Sequence, residues 1–322
     1  MRIAEFDYHL PKEAIAQFPY RERDEARLLV VRPFGIFHRS FRDLPELLLP
    51  GDLLVFNDSR VIRARLWGKK ETGGRVEVLL VEEAEDHIWR CLGRGRLREG
   101  MKVVFGGKLQ GEIINREGEY LFIRFDPDPE AHGEIPLPPY IRRPVEPDDE
   151  IYYQNIFAKK PGSVASPTAG LHFTQELLDR LKEAGIDYTT ITCHIRPGIF
   201  RRIRRIEDFE MEPEPYEISE LAAVKINRAQ RVIAVGTSVV RVLESLESGP
   251  VTPSKGRVNI FIKPGHKFTR IDGMITNFHL PKSPPFIMVS ALVGLKRLKE
   301  IYQTALAENY RFLSYGDGML II

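Results

Sequence analysis

The stretch from Arg231 to Leu246 places the strongest constraint on the fold of this chain. Arg231–Val235 is an apolar run rich in β-branched residues, Gly236-Thr237-Ser238 is small and polar, and residues 239–246 have helical spacing. A strand that is apolar throughout is typical of a parallel sheet covered on both faces. The succession therefore predicts an α/β domain. Its polar turn is either a plain βα connection or a corner that receives an anion or a carboxylate.

A second buried strand is predicted at residues 53–56, which read Leu-Leu-Val-Phe between turn residues. Polar residues follow it at once, from Asn57 to Arg60. Polar groups at the carboxyl end of a buried strand lie where open α/β sheets bind ligands. Residues 286–309 have the pattern of a long helical region, and the Leu-Ile-Ile end of the chain indicates a last buried strand.

Residues 64–126 have a different cadence. Short apolar segments recur about every ten residues, with glycine-rich turns between them, as at Gly106-Gly107. This spacing predicts an inserted antiparallel sheet or a small barrel. The proline-rich residues 133–141 then lead back to the first domain. They are either a rigid linker or an edge of the ligand cleft that carries Tyr140.

Residues 162–174 form a small, polar, uncharged stretch that ends at a helix start. Thr174 is a good N-cap, and Glu176 puts an acid in the first turn. The loop therefore directs backbone N–H groups toward the positive end of a helix, and small side chains allow another molecule to approach closely. An ordinary surface loop before a capped helix is the alternative.

Composition limits where the protein is expected to act. The chain of 322 residues has two cysteines, which provide neither a disulfide framework nor a zinc set. Its longest nearly apolar run, residues 286–295, is shorter than the roughly 20 residues of a membrane span. No apolar signal region opens the sequence. We therefore expect a cytoplasmic protein with no membrane partner.

A net charge of +2 is too small for a protein that coats duplex nucleic acid. A local basic patch is present, however, and acidic residues from Asp208 to Glu217 follow it. Such a patch holds a few phosphates, or else it is a solvated surface whose two halves pair with each other. The arginines of the patch are Arg196, Arg201, Arg202, Arg204 and Arg205.

Three histidines, His172, His194 and His279, lie at junctions between predicted elements. Histidine is the usual proton-transfer residue near neutral pH, although a histidine at a strand end is often only structural. The spacing of these residues fits no metal motif, so no metal site is predicted. A Ser-His-Asp triad built on Ser166 or Ser238 has little support, because neither serine sits in G-x-S-x-G.

Taken together, the motifs resemble the S-adenosylmethionine:tRNA ribosyltransferase-isomerase family of queuosine biosynthesis. The resemblance covers the chain from one end to the other, and the order and spacing of its tracts are specific. The tracts are Phe6-Asp7-Tyr8, residues 51–66, Leu137-Pro138-Pro139-Tyr140-Ile141, residues 160–173, Val232-Ile233-Ala234-Val235-Gly236-Thr237, Thr276-Asn277-Phe278-His279-Leu280-Pro281 and residues 310–317. One departure is at residues 211–216, where Glu212 stands in place of the histidine in Met-His-x-Glu-x-Tyr.

The resemblance implies an α/β fold, with a mixed-sheet main domain at residues 1–63 and 136–322 interrupted by a small antiparallel β-barrel domain at residues 64–135. It implies transfer of the ribosyl moiety of S-adenosylmethionine to 7-aminomethyl-7-deazaguanine at the wobble position of tRNA. Isomerisation then gives epoxyqueuosine, and adenine and methionine leave. S-adenosylmethionine is thus a consumed substrate, and no separate cofactor is expected. We expect a monomer.

This chemistry needs a base near C5′, because the sulfonium acidifies the C5′ protons, and fixed donors for the methionine carboxylate. His172 is the first choice for proton transfer and His279 the second, while Asp317 would orient a hydroxyl or the substrate amine. The five arginines of the basic patch would contact tRNA phosphates. The residues expected around S-adenosylmethionine are Ser166, Thr168, Ala169, Gly170, Gly236, Thr237 and Ser238.

Two functions of other classes remain as alternatives. One is an S-adenosylmethionine-dependent RNA methyltransferase, and the other is a non-catalytic RNA-binding protein that uses the basic patch. Polar junctions at separate strand ends argue against the second, since binding alone requires no such convergence. Product analysis distinguishes all three: free adenine indicates ribosyl transfer, S-adenosylhomocysteine indicates methylation, and a binding protein yields neither.

Overall fold

The computed structural model describes residues 1–200 and 203–322, with the side chain of Phe200 left out. The described helices and strands fall into a large mixed sheet with helices, a closed barrel and a two-stranded pairing. The strands are β1 (Arg27–Arg32), β2 (Gly35–Ser40), β3 (Asp52–Asn57), β4 (Ser59–Val61), β5 (Arg65–Lys70), β6 (Arg75–Glu85), β7 (Ile88–Arg94), β8 (Lys102–Phe105), β9 (Leu109–Glu117), β10 (Tyr120–Asp126), β11 (Lys160–Ser163), β12 (Asp187–Cys193), β13 (Glu214–Ile218), β14 (Arg231–Val235), β15 (Ser254–Val258), β16 (Gly273–Asn277) and β17 (Gly318–Ile321). The α-helices are α1 (Leu44–Leu47), α2 (Asp149–Tyr152), α3 (Gln175–Glu183), α4 (Glu220–Arg228), α5 (Thr237–Glu244), α6 (Pro284–Val293) and α7 (Leu295–Ala307).

The main sheet has nine strands in the order β15-β13-β12-β3-β14-β16-β17-β1-β2. At its centre, β3 pairs in parallel with both β12 and β14, and β14 pairs in parallel with β16. Every residue of β3 is buried, which confirms the strand expected at residues 53–56. Strand β14 confirms the one predicted at Arg231–Val235. Both strands end at the same edge of the sheet because they are parallel.

The inserted segment forms a closed antiparallel barrel in the order β10-β7-β6-β5-β8-β9. Its interior is filled by apolar side chains, Phe105, Ile113 and Phe125 among them. Val164, from the segment after β11, also belongs to this core. The α/β fold with an inserted antiparallel β-barrel is therefore confirmed, while the domain boundaries at 63/64 and 135/136 stay a prediction.

The long helical region predicted for residues 286–309 is confirmed, and two helices occupy it. Gly294 separates α6 from α7 and has a φ of +83°, in the left-handed region that ends a helix. The apolar helix α6 packs into the core of the main sheet. Within residues 1–200 and 203–322, no helix has both the length and the apolar character needed to cross a membrane.

Candidate functional site

A cavity lies at the edge where β14 and β16 end. It encloses about 700 Å³ of space, a volume that includes its solvent-open mouth. Three stretches that are far apart in the sequence, residues 165–169, 236–238 and 276–280, meet in its wall. Among the lining residues that the structure describes, none carries a carboxylate, an ammonium or a guanidinium group. The hydroxyl-bearing residues of the wall are Tyr140, Tyr153, Ser166, Thr168, Thr237, Ser238, Thr276, Ser283 and Ser314.

The loop that carries Ser166 is held from two sides. Strand β11 pairs in parallel with β4, and the Ser163 hydroxyl lies 2.8 Å from the Ser59 hydroxyl. The backbone of Ile195 donates to the Ser163 hydroxyl at 2.8 Å, and Val164 donates to the Ile195 carbonyl at 2.9 Å. Because Val164 is also part of the barrel core, the loop has little freedom to move away from the cavity.

The turn after β14 brings a helix start to the cavity. Gly236 has a φ of +96°, which favours glycine, and α5 begins at the next residue. No side chain of the described residues caps this helix. Its first-turn N–H groups are therefore available for a ligand anion. Asn57, at the end of β3, donates to the Ser238 hydroxyl at 3.2 Å, so the polar residues after β3 support the site from behind.

His279 lines the cavity and is rigidly held. Its Nε2 lies 2.8 Å from the Thr276 hydroxyl. Its backbone N–H donates to the Tyr302 hydroxyl at 2.9 Å, and the Tyr8 hydroxyl donates to its carbonyl. Burial lowers the pKa of His279 to about 3. The imidazole is consequently neutral at physiological pH and retains a lone pair that can accept a proton.

His172 does not share this cavity, in contrast to the prediction. It faces a separate small pocket with Tyr20 and Arg23. The ring is 4% exposed and stacks on Phe41 with 4.2 Å between centroids. Burial and the Arg23 guanidinium lower the pKa of His172 to about 3. It is connected to the main cavity through Asn277, whose Nδ2 lies 3.2 Å from His172 Nε2, and Ser314 lines both pockets.

Gly170 and His194 also lie outside the described lining of the cavity. A Cβ added at Gly170 would be 3.0 Å from Asn155 Nδ2, so this glycine allows close packing of the loop against its own domain. His194 lies just after β12, where its backbone N–H donates to the Pro215 carbonyl at 2.9 Å. Neither position agrees with direct contact to a ligand in this cavity.

Asp317 is fully buried away from the described lining. Its carboxylate accepts hydrogen bonds from the backbone of Arg27 at 2.8 Å and of Arg311 at 2.7 Å, and from the Tyr20 hydroxyl at 3.1 Å. Burial raises the pKa of the Asp317 carboxyl, although these hydrogen bonds oppose the shift. The expected substrate-orienting role does not fit this placement, because the carboxylate ties β1 to the C-terminal segment instead.

The basic patch is divided by the structure. Arg196 is 5% exposed, pairs with Glu82 at 2.9 Å and contacts the Val81 carbonyl, so its guanidinium is not available to phosphate. Arg204 and Arg205 are exposed, and Arg205 pairs with Asp208 at 3.1 Å. Arg201 and Arg202 lie outside the described residues.

Sequence reasoning missed two residues of the wall, Tyr153 and Ser314, and named Tyr140 only as one alternative. Tyr140 and Ser314 are joined by a 2.7 Å hydrogen bond between their hydroxyls. Tyr153 follows α2 in an acidic and aromatic stretch that carries no recognisable motif. Across the described part of the chain, no cluster of three or more His, Cys, Asp or Glu side chains could hold a metal ion.

Known proteins resemble this chain over its whole length. A family model described as "Queuosine biosynthesis protein" matches residues 3–321. A protein of Aquifex aeolicus is 44% identical over 337 residues, covering 100% of both chains. A protein of Anaeromyxobacter dehalogenans is 46% identical over 345 residues, covering 100% of this chain and 99% of the relative. Both relatives are named S-adenosylmethionine:tRNA ribosyltransferase-isomerase.

A solved structure gives the same result. The crystal structure of S-adenosylmethionine tRNA ribosyltransferase from Thermotoga maritima has 35% sequence identity and a TM-score of 0.58. The match covers 99% of this chain and 100% of that one. The family model, the relatives and the fold agree, and we conclude that the chain belongs to the queuosine biosynthesis protein family.

Proposed function

We propose that this protein transfers the ribosyl moiety of S-adenosylmethionine to 7-aminomethyl-7-deazaguanine at the wobble position of tRNA. The ribosyl group is isomerised to give epoxyqueuosine, and adenine and methionine are released. The observation that carries the proposal is the meeting of residues 165–169, 236–238 and 276–280 in one cavity, in a chain that matches the family over residues 3–321. S-adenosylmethionine is consumed, so we propose no separate cofactor.

S-adenosylmethionine occupies the cavity in this proposal. Its methionine carboxylate meets the uncapped start of α5 after Gly236, where backbone N–H groups and the helix dipole favour an anion. Ser166, Thr168 and Ala169 line the same cavity, and Thr237 and Ser238 begin the helix. The uncharged wall places no cationic side chain beside a substrate whose sulfonium and ammonium groups outweigh its one carboxylate.

His279 is the proposed base. It is the only histidine among the described lining residues, and burial keeps it neutral. We assign its Nε2–H as a donor to Thr276, which leaves the Nδ1 lone pair to accept a C5′ proton from the sulfonium substrate. The amine nitrogen of 7-aminomethyl-7-deazaguanine bonds to C1′ and loses a proton, while the C1′ bonds to adenine and to the ring oxygen break and adenine leaves with a proton. C5′ bonds to C1′ to close the carbocycle, the ring oxygen bonds to C5′ to form the epoxide, and methionine leaves with the electron pair of the C5′–S bond.

The tRNA approaches over the segment that follows Ile199, which lines the cavity. The exposed Arg204 and Arg205 lie in this segment and are suited to anticodon-loop phosphates. Arg196 is left out of this surface because it is buried against Glu82. We further propose that the protein works as a monomer in the cytoplasm, where its tRNA substrate is found.

The test is one incubation with tRNA that carries 7-aminomethyl-7-deazaguanine and with S-adenosylmethionine labelled in the adenine. Free adenine in equal amount to modified tRNA supports ribosyl transfer. S-adenosylhomocysteine with methylated tRNA would show a methyltransferase instead. Tight tRNA binding with neither product would show a binding protein. tRNA that carries guanine at the same position is the matched control and should release no adenine.

A further inference from the structure

Two hydroxyls in the cavity wall have no hydrogen-bond partner in the part of the chain that the structure describes: those of Tyr153 and Ser166. Tyr153 is 0% exposed and Ser166 is 5% exposed. Leaving a buried polar group without a hydrogen bond destabilises the folded state, and most buried groups in folded proteins find a partner. Two such groups on one cavity wall therefore indicate a ligand that supplies the missing bonds.

The Tyr153 hydroxyl cannot easily turn away to find a partner elsewhere. Its ring packs edge-on against Tyr315, with 6.0 Å between centroids, and its backbone N–H donates to the Asp149 carbonyl at 2.9 Å. The hydroxyl faces the Ser166 backbone and the Ser314 side chain without acceptable hydrogen-bond geometry to either. Ser314 is already paired with Tyr140 at 2.7 Å. Tyr153 is thus held in place by contacts that leave its oxygen unsatisfied.

Both groups are neutral donors and acceptors. Burial raises the pKa of the Tyr153 hydroxyl well above its usual value, so it stays protonated and does not act as a base. A hydroxyl both donates and accepts, which complements a ligand hydroxyl better than a carboxylate or an ammonium group. In the proposed function, the charged methionine end of the substrate already has a partner at the start of α5.

We infer that Tyr153 and Ser166 form the ribose-binding wall of this site, with their hydroxyls hydrogen-bonded to the 2′- and 3′-hydroxyls of S-adenosylmethionine. The inference rests on the proposed function and adds the group of the substrate that these residues recognise. Tyr153 acts here as a substrate-binding residue and takes no part in proton transfer.

The experiment measures equilibrium binding of S-adenosylmethionine to the full-length protein without tRNA, by calorimetry. Tyr153→Phe and Ser166→Ala should each weaken binding about tenfold, the effect of one lost hydrogen bond in a buried site. The 2′-deoxy and 3′-deoxy analogues of S-adenosylmethionine should bind the wild type about tenfold more weakly. Each variant should bind one of the two analogues no more weakly than it binds S-adenosylmethionine itself, because the hydrogen bond that this analogue lacks is the one that the substitution has already removed.

Thermal unfolding of the free protein separates binding from structure. Tyr153→Phe and Ser166→Ala should leave Tm unchanged or raise it, since neither removes a hydrogen bond within the described structure. Ser163→Ala is the matched serine control and should lower Tm, because Ser163 bonds Ser59 and Ile195. Tyr310→Phe is the matched tyrosine control, since its hydroxyl is paired with His38 at 2.9 Å, and it should leave affinity unchanged.

Wild-type affinity in both variants, while the wild-type protein releases adenine, would overturn this inference and leave the proposed function intact. Lower Tm with unchanged affinity would assign the two hydroxyls a structural role and would also overturn it. Absence of adenine release from the wild type would overturn the proposed function itself.

Discussion

The cavity wall and the contact between barrel and main sheet are built from opposite kinds of side chain. The wall is neutral and rich in hydroxyls. The contact, here called the charged seam, consists of Glu82, Arg90, Arg196, Glu212 and Arg257. Glu82 alone is paired with three of these arginines, at 2.8 to 2.9 Å.

The difference shows where this protein uses its charges. In the seam, burial would raise the pKa of Glu82, but the arginines around it hold that pKa below its usual value. Fixed charges therefore join the barrel to the main sheet. The cavity wall instead has neutral groups, and a charged substrate can displace the water bound to them. Mutations in the seam should change stability, and mutations in the wall should change binding or rate.

The largest expected effect is on rate. His279→Ala should lower adenine release by about 10² to 10⁴-fold, the usual contribution of a general base. The measurement is single-turnover formation of adenine with saturating substrates. His172→Ala is the matched control, because that ring lies outside the described lining, and any loss it shows should follow the loss of folded protein. Near-normal turnover by folded His279→Ala would remove the assigned role.

A smaller effect, on stability, is expected in the seam. Glu82→Gln should lower the free energy of unfolding by about 2–3 kcal/mol, because it leaves the buried Arg196 without its nearest carboxylate and partial exposure of Glu82 limits the loss. Urea unfolding measures this change. Arg205→Ala removes an exposed pair and should cost no more than about 0.5 kcal/mol. An equal loss of unfolding free energy in the two variants would show that burial does not strengthen the ion pairs of the charged seam.

The third expectation concerns the pH dependence of stability and His172, which lies outside the cavity wall. His172 has a pKa of about 3 in the folded protein, against 6.5 for an ordinary histidine side chain, so between these two pH values the unfolded chain binds one more proton than the folded protein. Stability is therefore retained above pH 6.5 and falls as the pH drops toward 3. Between pH 7 and pH 5, wild type should lose about 2 kcal/mol more than His172→Asn. Equal losses, measured by urea unfolding at both pH values, would mean that His172 is protonated when folded.

The smallest effect is expected at the tRNA surface. Reversing the charge of both Arg204 and Arg205 to Glu should raise the KM for tRNA several-fold and leave the KM for S-adenosylmethionine unchanged, since these side chains are exposed. The dependence of tRNA binding on salt should weaken at the same time. Arg228→Glu, on the exposed face of α4, controls for net charge. An unchanged KM for tRNA would exclude Arg204 and Arg205 from the surface.

Apolar patterning was sufficient for much of the fold and part of the site. The buried strands β3 and β14 follow from uninterrupted apolar runs. The polar residues after β14 line the cavity, and Asn57, at the end of β3, bonds Ser238 from behind. The helical region at residues 286–309 was predicted without its division into two helices, because a glycine within a helical pattern does not reveal its φ in advance. Only the folded backbone shows that Gly294 is left-handed.

The other site residues that were missed or misplaced could not be predicted correctly because the sequence shows neither the direction of a side chain nor its contacts with residues far away in the chain. His172 and His279 both lie in small polar stretches, and the sequence does not show that the 3-10 helix Thr168–His172 turns one ring onto Phe41. Arg196 reads like its neighbours because its partner, Glu82, belongs to a distant part of the chain. Tyr153 becomes recognisable only when its hydroxyl is seen to lack a bond.

Because Val164 packs in the barrel core, the inserted barrel also supports the loop that lines the cavity. Removing residues 65–126, or replacing them with a foreign β-domain, would remove the apolar side chains that surround Val164. Val164 is two positions before Ser166. A foreign barrel would therefore need an apolar site that fits Val164. A shortened protein without the barrel would lose the packing that holds the loop carrying Ser166 in place.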